Sequence, residues 1–162
     1  MDKEALVKAF HVDNEALVKG LHATIESLKK KGRDFFLVML VPFEPTSNDL
    51  RLALLISASW LDNLSPKEAL DEIIQEFLNV HANKGPETDS FFKKVGRITI
   101  IKSTDPFVNA LTSAISVSDR ATAYIGEGNI NGVLIKQAII LAARNPRQKK
   151  SDKKDAIPRK LK

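Results

Sequence analysis

Three short segments of this 162-residue chain carry side chains that could do chemistry. They are Ser57-Ala58-Ser59-Trp60-Leu61-Asp62, Lys102-Ser103-Thr104-Asp105 and Gly126-Glu127-Gly128-Asn129. Each follows an apolar run, and each joins an acid to hydroxyl or amide groups. Asp62, Asp105 and Glu127 are the candidates for a general base or an orienting acid, because carboxylates sharing a cleft push each other's pKa apart. Lys102 is a cation for an anionic group. Ser59, Thr104 and Asn129 add hydrogen bonds, and Trp60 adds a flat surface for a lid or for stacking.

Each segment also has a plainer structural role. Trp60 fits the core, with Asp62 and Asn63 forming the turn that follows it. Thr104-Asp105-Pro106 is what a helix start needs: side-chain oxygens for the cap, then proline at the first helical position. Gly126, Gly128 and Gly132 fit a glycine-rich hairpin or bulge. A phosphate-binding turn needs such glycines between a strand and a long helix, and no second nucleotide-binding half follows here.

Other chemistries lack their residues. The chain has no cysteine, which removes disulfides, thiolate metal sites and cysteine nucleophiles. His11, His22 and His81 stand in no metal-ligand spacing, so no metal is expected. No Gly-x-Ser-x-Gly elbow, Walker loop or EF-hand loop occurs, and no cofactor is expected.

The elements that must position these residues follow from hydrophobic patterning. Glu4-Ala5-Leu6-Val7-Lys8 recurs as Glu15-Ala16-Leu17-Val18-Lys19. Asp13 or Asn14 between the copies fits an N-cap, so the spacing predicts a helical N-terminus over 1–32. Its second copy carries the stripe Leu17, Leu21, Ile25 and Leu28, and Gly32 closes it. Phe35 to Val41 and Leu50 to Ser57 are short apolar runs that predict an antiparallel hairpin. Ser65-Pro66-Lys67-Glu68 is a capping box, and the helix it opens runs to His81, before Gly85-Pro86. Val95 to Lys102 predicts a strand, Pro106 to Ser116 a helix and Ala121 to Ile125 a strand. Asn131-Gly132 predicts a turn before a last strand over Val133 to Ala142. A helix from Val133 is the alternative, since Leu134, Ala138 and Leu141 also fit.

The order α-β-β-α-β-α-β-β predicts an α+β fold with an α/β-like centre: a mixed five-stranded sheet with covering helices. The stretches 50–102 and 95–125 each look like a βαβ unit. Three parallel strands would gather the three segments at their C-terminal ends, where ligands bind open α/β sheets. One domain over 1–143 is expected, followed by a basic, disordered tail over 144–162.

Charge divides the same way. The stretch from Arg144 to Lys162 holds nine Lys and Arg against two Asp, a net of +7, while residues 1–143 hold 16 Lys and Arg against 18 Asp and Glu, a net of −2. The high pI therefore belongs to the tail and gives no evidence that the folded body binds nucleic acid. Arg144, Arg147, Lys149, Lys150, Lys153 and Lys154 are the tail residues that could contact an acidic partner, protein or nucleic acid. The N-terminus has no secretory pattern and no apolar run has spanning length, so no membrane association is expected and the cytoplasm is the expected location. Two functional classes remain. The favoured one is a non-catalytic binding or assembly module that self-associates through its N-terminal helices or an edge strand. The other is a small enzyme or small-molecule binder that uses the gathered carboxylates.

Overall fold

A computed structural model describes residues 14–42, 51–81, 91 and 93–146. The first copy of the N-terminal repeat, with His11, lies outside the described residues, as does the tail from Arg147 onward. The second copy forms α1 (Glu15–Lys30). Its apolar stripe is the buried face: Leu17 and Leu28 are fully enclosed, and Leu21 nearly so. Asn14 precedes the helix but gives it no side-chain cap. The C-terminus is closed by a Schellman motif. Gly32 sits at φ 80°, its N–H donates to Lys29 O at 3.0 Å, and the Arg33 N–H donates to Leu28 O at 2.9 Å.

The chain then enters β1 (Leu37–Pro42) and returns as β2 (Leu52–Ser57), paired antiparallel from Leu37↔Ser57 to Pro42↔Leu52. A single turn, α2 (Ser59–Asp62), leads to α3 (Pro66–His81). The capping box forms as its spacing predicts. The Glu68 N–H donates to Ser65 Oγ at 3.2 Å, and the Ser65 N–H donates to Glu68 Oε1 at 3.3 Å. After β3 (Val95–Ile100) and α4 (Pro106–Ala114) come β4 (Ala123–Ile125), β5 (Gly128–Ile130), β6 (Val133–Ile135) and β7 (Ala138–Ala143).

The fold is α+β. A mixed five-stranded sheet runs in the order β3-β2-β1-β7-β4, and β5 and β6 form a separate hairpin. α1 and α3 cover one face, over a core that includes Leu40, Leu54, Ile56, Phe77, Ile139 and Leu141. α4 and the β5–β6 hairpin lie on the other, against Leu37, Met39, Ile140 and Ala143. The central strand β1 is buried from Leu37 to Leu40, as expected of a strand covered on both faces.

Two expectations about strands are corrected. β2 and β3 are parallel, so the first βαβ unit exists. The second does not. β4 pairs antiparallel with β7, which is itself antiparallel to β1. β4 therefore runs opposite to β3, at the far edge of the sheet. The reason is competition for the centre: the six-residue apolar run of β7 takes the place beside β1 and leaves the three-residue β4 outside it. The predicted last strand is also two strands. The Asn131-Gly132 turn, with φ of 51° and 79°, commits Val133–Ile135 to pairing with Gly128–Ile130. The break at Lys136-Gln137 then frees Ala138–Ala143 to join the main sheet.

Arg144 and Asn145, expected at the start of the tail, are bonded into the fold. The Arg144 N–H donates to Phe36 O at 2.8 Å. The buried Asn145 amide donates to Ser113 Oγ at 2.7 Å and to Thr112 Oγ1 at 3.2 Å, fastening the end of β7 to α4. No helix among the described residues is long and apolar enough to cross a membrane.

Candidate functional site

The end of the sheet where β2 and β3 finish brings together part of the predicted constellation. Asp62, at the end of α2, accepts from the Ser103 N–H at 3.0 Å and from the Ser103 hydroxyl. Lys102 donates to the Asp62 carbonyl oxygen. These bonds tie the turn after β2 to the turn after β3. Asp105 accepts from the Phe107 N–H at 2.8 Å and caps α4. Trp60 is half-buried. Its indole N–H donates to Asp34 O at 2.9 Å, its ring meets Phe35 edge-on at 5.7 Å, and the Arg33 guanidinium lies over it at 5.1 Å. Ser59 and Thr104 are exposed at the same end.

Glu127 and Asn129 are not part of this cluster. β4 finishes at the opposite end of the sheet, so Glu127 follows it there, exposed. Asn129 accepts from the Gly132 N–H at 3.0 Å and supports the hairpin turn. Asp62 and Asp105 therefore stand without the third carboxylate that parallel strands would have delivered. Among the described residues no group of three or more acids and histidines gathers as a metal site.

Concave regions accompany the sheet among the described residues, and three of them bear on the site. The first, about 270 Å³, lies between α1 and the loop before β4. Its wall is charged, but the charges are matched in pairs: Lys29 with Asp119, Arg120 with Glu26 at 2.7 Å, and Arg144 with Asp34. Burial pushes the Asp34 carboxyl up, but its bonds to Arg144 and to the Phe35 N–H outweigh this and hold it below the usual carboxylate range. His22 Nε2 lies 2.7 Å from Thr122 Oγ1, and burial holds its pKa below the ordinary histidine value against the opposing pull of Glu26. This region fastens α1 to the β4 edge. The second, about 300 Å³, is apolar and lies beside the β5–β6 hairpin, where Val133 and Leu134 are exposed.

The third is a groove of about 670 Å³ between α3 and β3, and it starts at the predicted cluster. Leu61, Leu64 and Leu70 form one wall, and Ile98 and Ile100 form the other. β3 is an edge strand, and among the described residues nothing pairs with its outer side. Its backbone orientation follows from register. The Ile101 N–H donates to Ile56 O at 2.8 Å, with Ile56 opposite Ile100 and Leu54 opposite Ile98. In a parallel pair the bonded residues alternate, so Thr99 and Ile101 turn toward β2. The N–H and C=O of Ile98 and Ile100 turn outward. The side chains of the same two residues line the groove. Among the described residues, the charged groups that border it are cationic: Lys67 and Lys102 on its own side, and Arg97, whose place between Gly96 and Ile98 on the strand turns its side chain to the other face of the sheet.

Sequence reasoning found Lys102 and the segment ending at Asp62 but missed the groove. Its signal was present as Ile98 and Ile100 at alternate positions beside a capped amphipathic helix. What it lacked was the knowledge that β3 is an edge. No protein-family model, curated protein or solved structure matches the chain.

Proposed function

We propose that this protein is a binding module that takes up an extended segment of a partner by strand addition along β3. One observation carries the reading: an edge strand turns the backbone groups of Ile98 and Ile100 outward beside an apolar groove roofed by α3. Edge amides supply main-chain hydrogen bonds, and pockets for alternate side chains supply specificity. The carboxylates at this end support a structural rather than a chemical role, since Asp62 joins two turns and Asp105 caps a helix.

Nuclear magnetic resonance titration tests the reading. The probe is a short neutral peptide alternating valine and threonine, compared with the same peptide N-methylated at alternate residues. The unmodified peptide is expected to shift the amides of Ile98 and Ile100 and slow their hydrogen exchange. N-methylation on the bonding side should abolish both effects. Shifts confined to other elements, or equal binding of the methylated peptide, would refute strand addition.

A further inference from the structure

We infer that the segment taken by β3 has apolar side chains on its groove-facing side and, in the same row at one end, an aspartate or glutamate that meets Lys102 and Lys67. This inference rests on the strand-addition reading and adds the chemistry of the partner. Residues directly opposite one another on neighbouring strands share a face of the sheet, so the side chains of an added strand follow those of β3. Ile98 and Ile100 pack toward the core under α3, and Ile101 toward the core on the other face. The Ile101 N–H still donates to Ile56 O at 2.8 Å, so the alternation runs past the end of β3. Lys102 comes next and returns to the groove side, where it lines the recess and donates to Asp62 O. Ile98, Ile100 and Lys102 therefore stand in one row. Arg97 and Thr99 face the other way and would not meet the groove-facing side chains.

The second cation lies at the same end. β2 and β3 are parallel and α3 follows the turn after β2, so α3 starts at the end of the groove where β3 finishes. Lys67 is in the first turn of α3, exposed, three residues before Leu70 and on the same side of the helix. Two ammonium groups thus border one end of the groove, while Leu70 and Ile98 further along are apolar. The bond that holds Lys102 is to a carbonyl oxygen, so its charge is not cancelled by that bond. Two acids stand nearby, and neither lines the groove. The Asp62 carboxylate is taken by the N–H and hydroxyl of Ser103, and that of Glu68 accepts from the Ser65 N–H. An apolar residue laid opposite Lys102 would leave the two ammonium groups uncompensated, and a cation there would be repelled. A carboxylate pairs with both, which fixes the register of the segment and suppresses wrong partners.

The test compares peptides by fluorescence anisotropy, with both ends blocked so that no terminal charge contributes. The reference is the neutral valine–threonine peptide. In two others aspartate replaces the last or the first valine, because parallel and antiparallel segments bring opposite ends to Lys102. In two controls aspartate replaces the threonine beside that valine, which faces away from the groove. At about 50 mM salt one of the two valine-site peptides is expected to bind about fivefold tighter than the neutral one. The ratio should fall toward one at about 0.5 M, where exposed charges are screened. The controls should bind like the neutral peptide. The double variant Lys67→Gln with Lys102→Gln, checked for native circular dichroism, is expected to make the acidic and neutral peptides bind alike. Equal affinity of the neutral and both valine-site peptides, the same gain in the controls, or a gain that survives the double variant would overturn the inference and leave strand addition standing. Failure of every peptide to bind would remove the strand-addition reading itself. Concentration-dependent dimerisation abolished by Ile98→Pro would make a second copy the occupant and also overturn the inference, because that proline removes an outward N–H and spares the ladder to β2.

Discussion

The groove needs α3 to be held over the sheet, and a half-buried clamp between the end of α1 and α3 contributes to that holding. Glu76 of α3 accepts from Lys31 at 2.8 Å through both carboxylate oxygens and from Ser27 at 2.7 Å. Its side chain is 8% exposed, against 55% for Lys31. Lys31→Met removes the cation and leaves the carboxylate buried with Ser27 alone. Truncating one partner of a fully buried pair costs about 3–5 kcal/mol. Lys31 is more than half in solvent, which screens the pair, so the expected loss is about 2 kcal/mol. For a domain of this size that lowers Tm by about 4–8 °C. The sign of the pH dependence follows from Glu76. Its bond to Lys31, then that to Ser27, holds its carboxyl below the usual range despite burial. The stabilisation is therefore complete above the unfolded value of about 4.3 and is lost as pH falls through the lower folded value. Urea unfolding at pH 7 and at steps down to about pH 3 reads the difference between wild type and variant. Asp34 titrates in the same direction but is present in both proteins, so it cancels. A loss under about 0.5 kcal/mol at pH 7, or one equally large in acid, would refute the clamp.

Two further perturbations test the supports of the sheet. Gly32→Ala is expected to cost about 1–2 kcal/mol in urea unfolding, because φ of 80° strains any residue with a Cβ and weakens the Schellman closure; a neutral result would mean that the turn relaxes freely. For His22 the folded pKa lies below the unfolded one, so the unfolded chain binds more protons and wild-type stability should fall as pH drops below about 6.5. His22→Gln is expected to flatten that slope in a Tm series, and an unchanged slope would place the titration on another group.

What the sequence made legible was local. The capping box at Ser65 and Glu68, the closure at Gly32 and the turn at Asn131-Gly132 each need only a few neighbouring residues, and each forms as its spacing predicts. What it hid depends on pairing across the chain. Ala123–Ile125 reads as a continuation of a parallel series until β7 claims the place beside β1. No local property of those three residues reveals that displacement. Asn145 looked like the start of a charged tail because its partners, Thr112 and Ser113, lie on a helix more than thirty residues earlier. The candidate site divides the same way. Lys102 and Asp62 were visible as residue types at strand ends. The groove was not, because it is made by the register of β3 on β2 and by the height of α3.

The cations near β3 also have a plainer physical reading, as guards of an exposed edge. Proteins guard exposed edges with lysine, with bulges and with short strands, so that copies do not pair edge to edge. β3 has two of these devices. Its pairing with β2 shifts register beside Gly96, and Lys93 and Arg97 flank it. A guard, however, needs only to repel, and it is most effective where the edge is flat and closed. Here the outward amides of Ile98 and Ile100 lie beside a recess lined by Leu61, Leu64 and Leu70. Leaving that much apolar surface half-open is unfavourable in the free protein, and repulsion alone gives no reason for it. On the strand-addition reading, a segment that covers the recess would remove that cost.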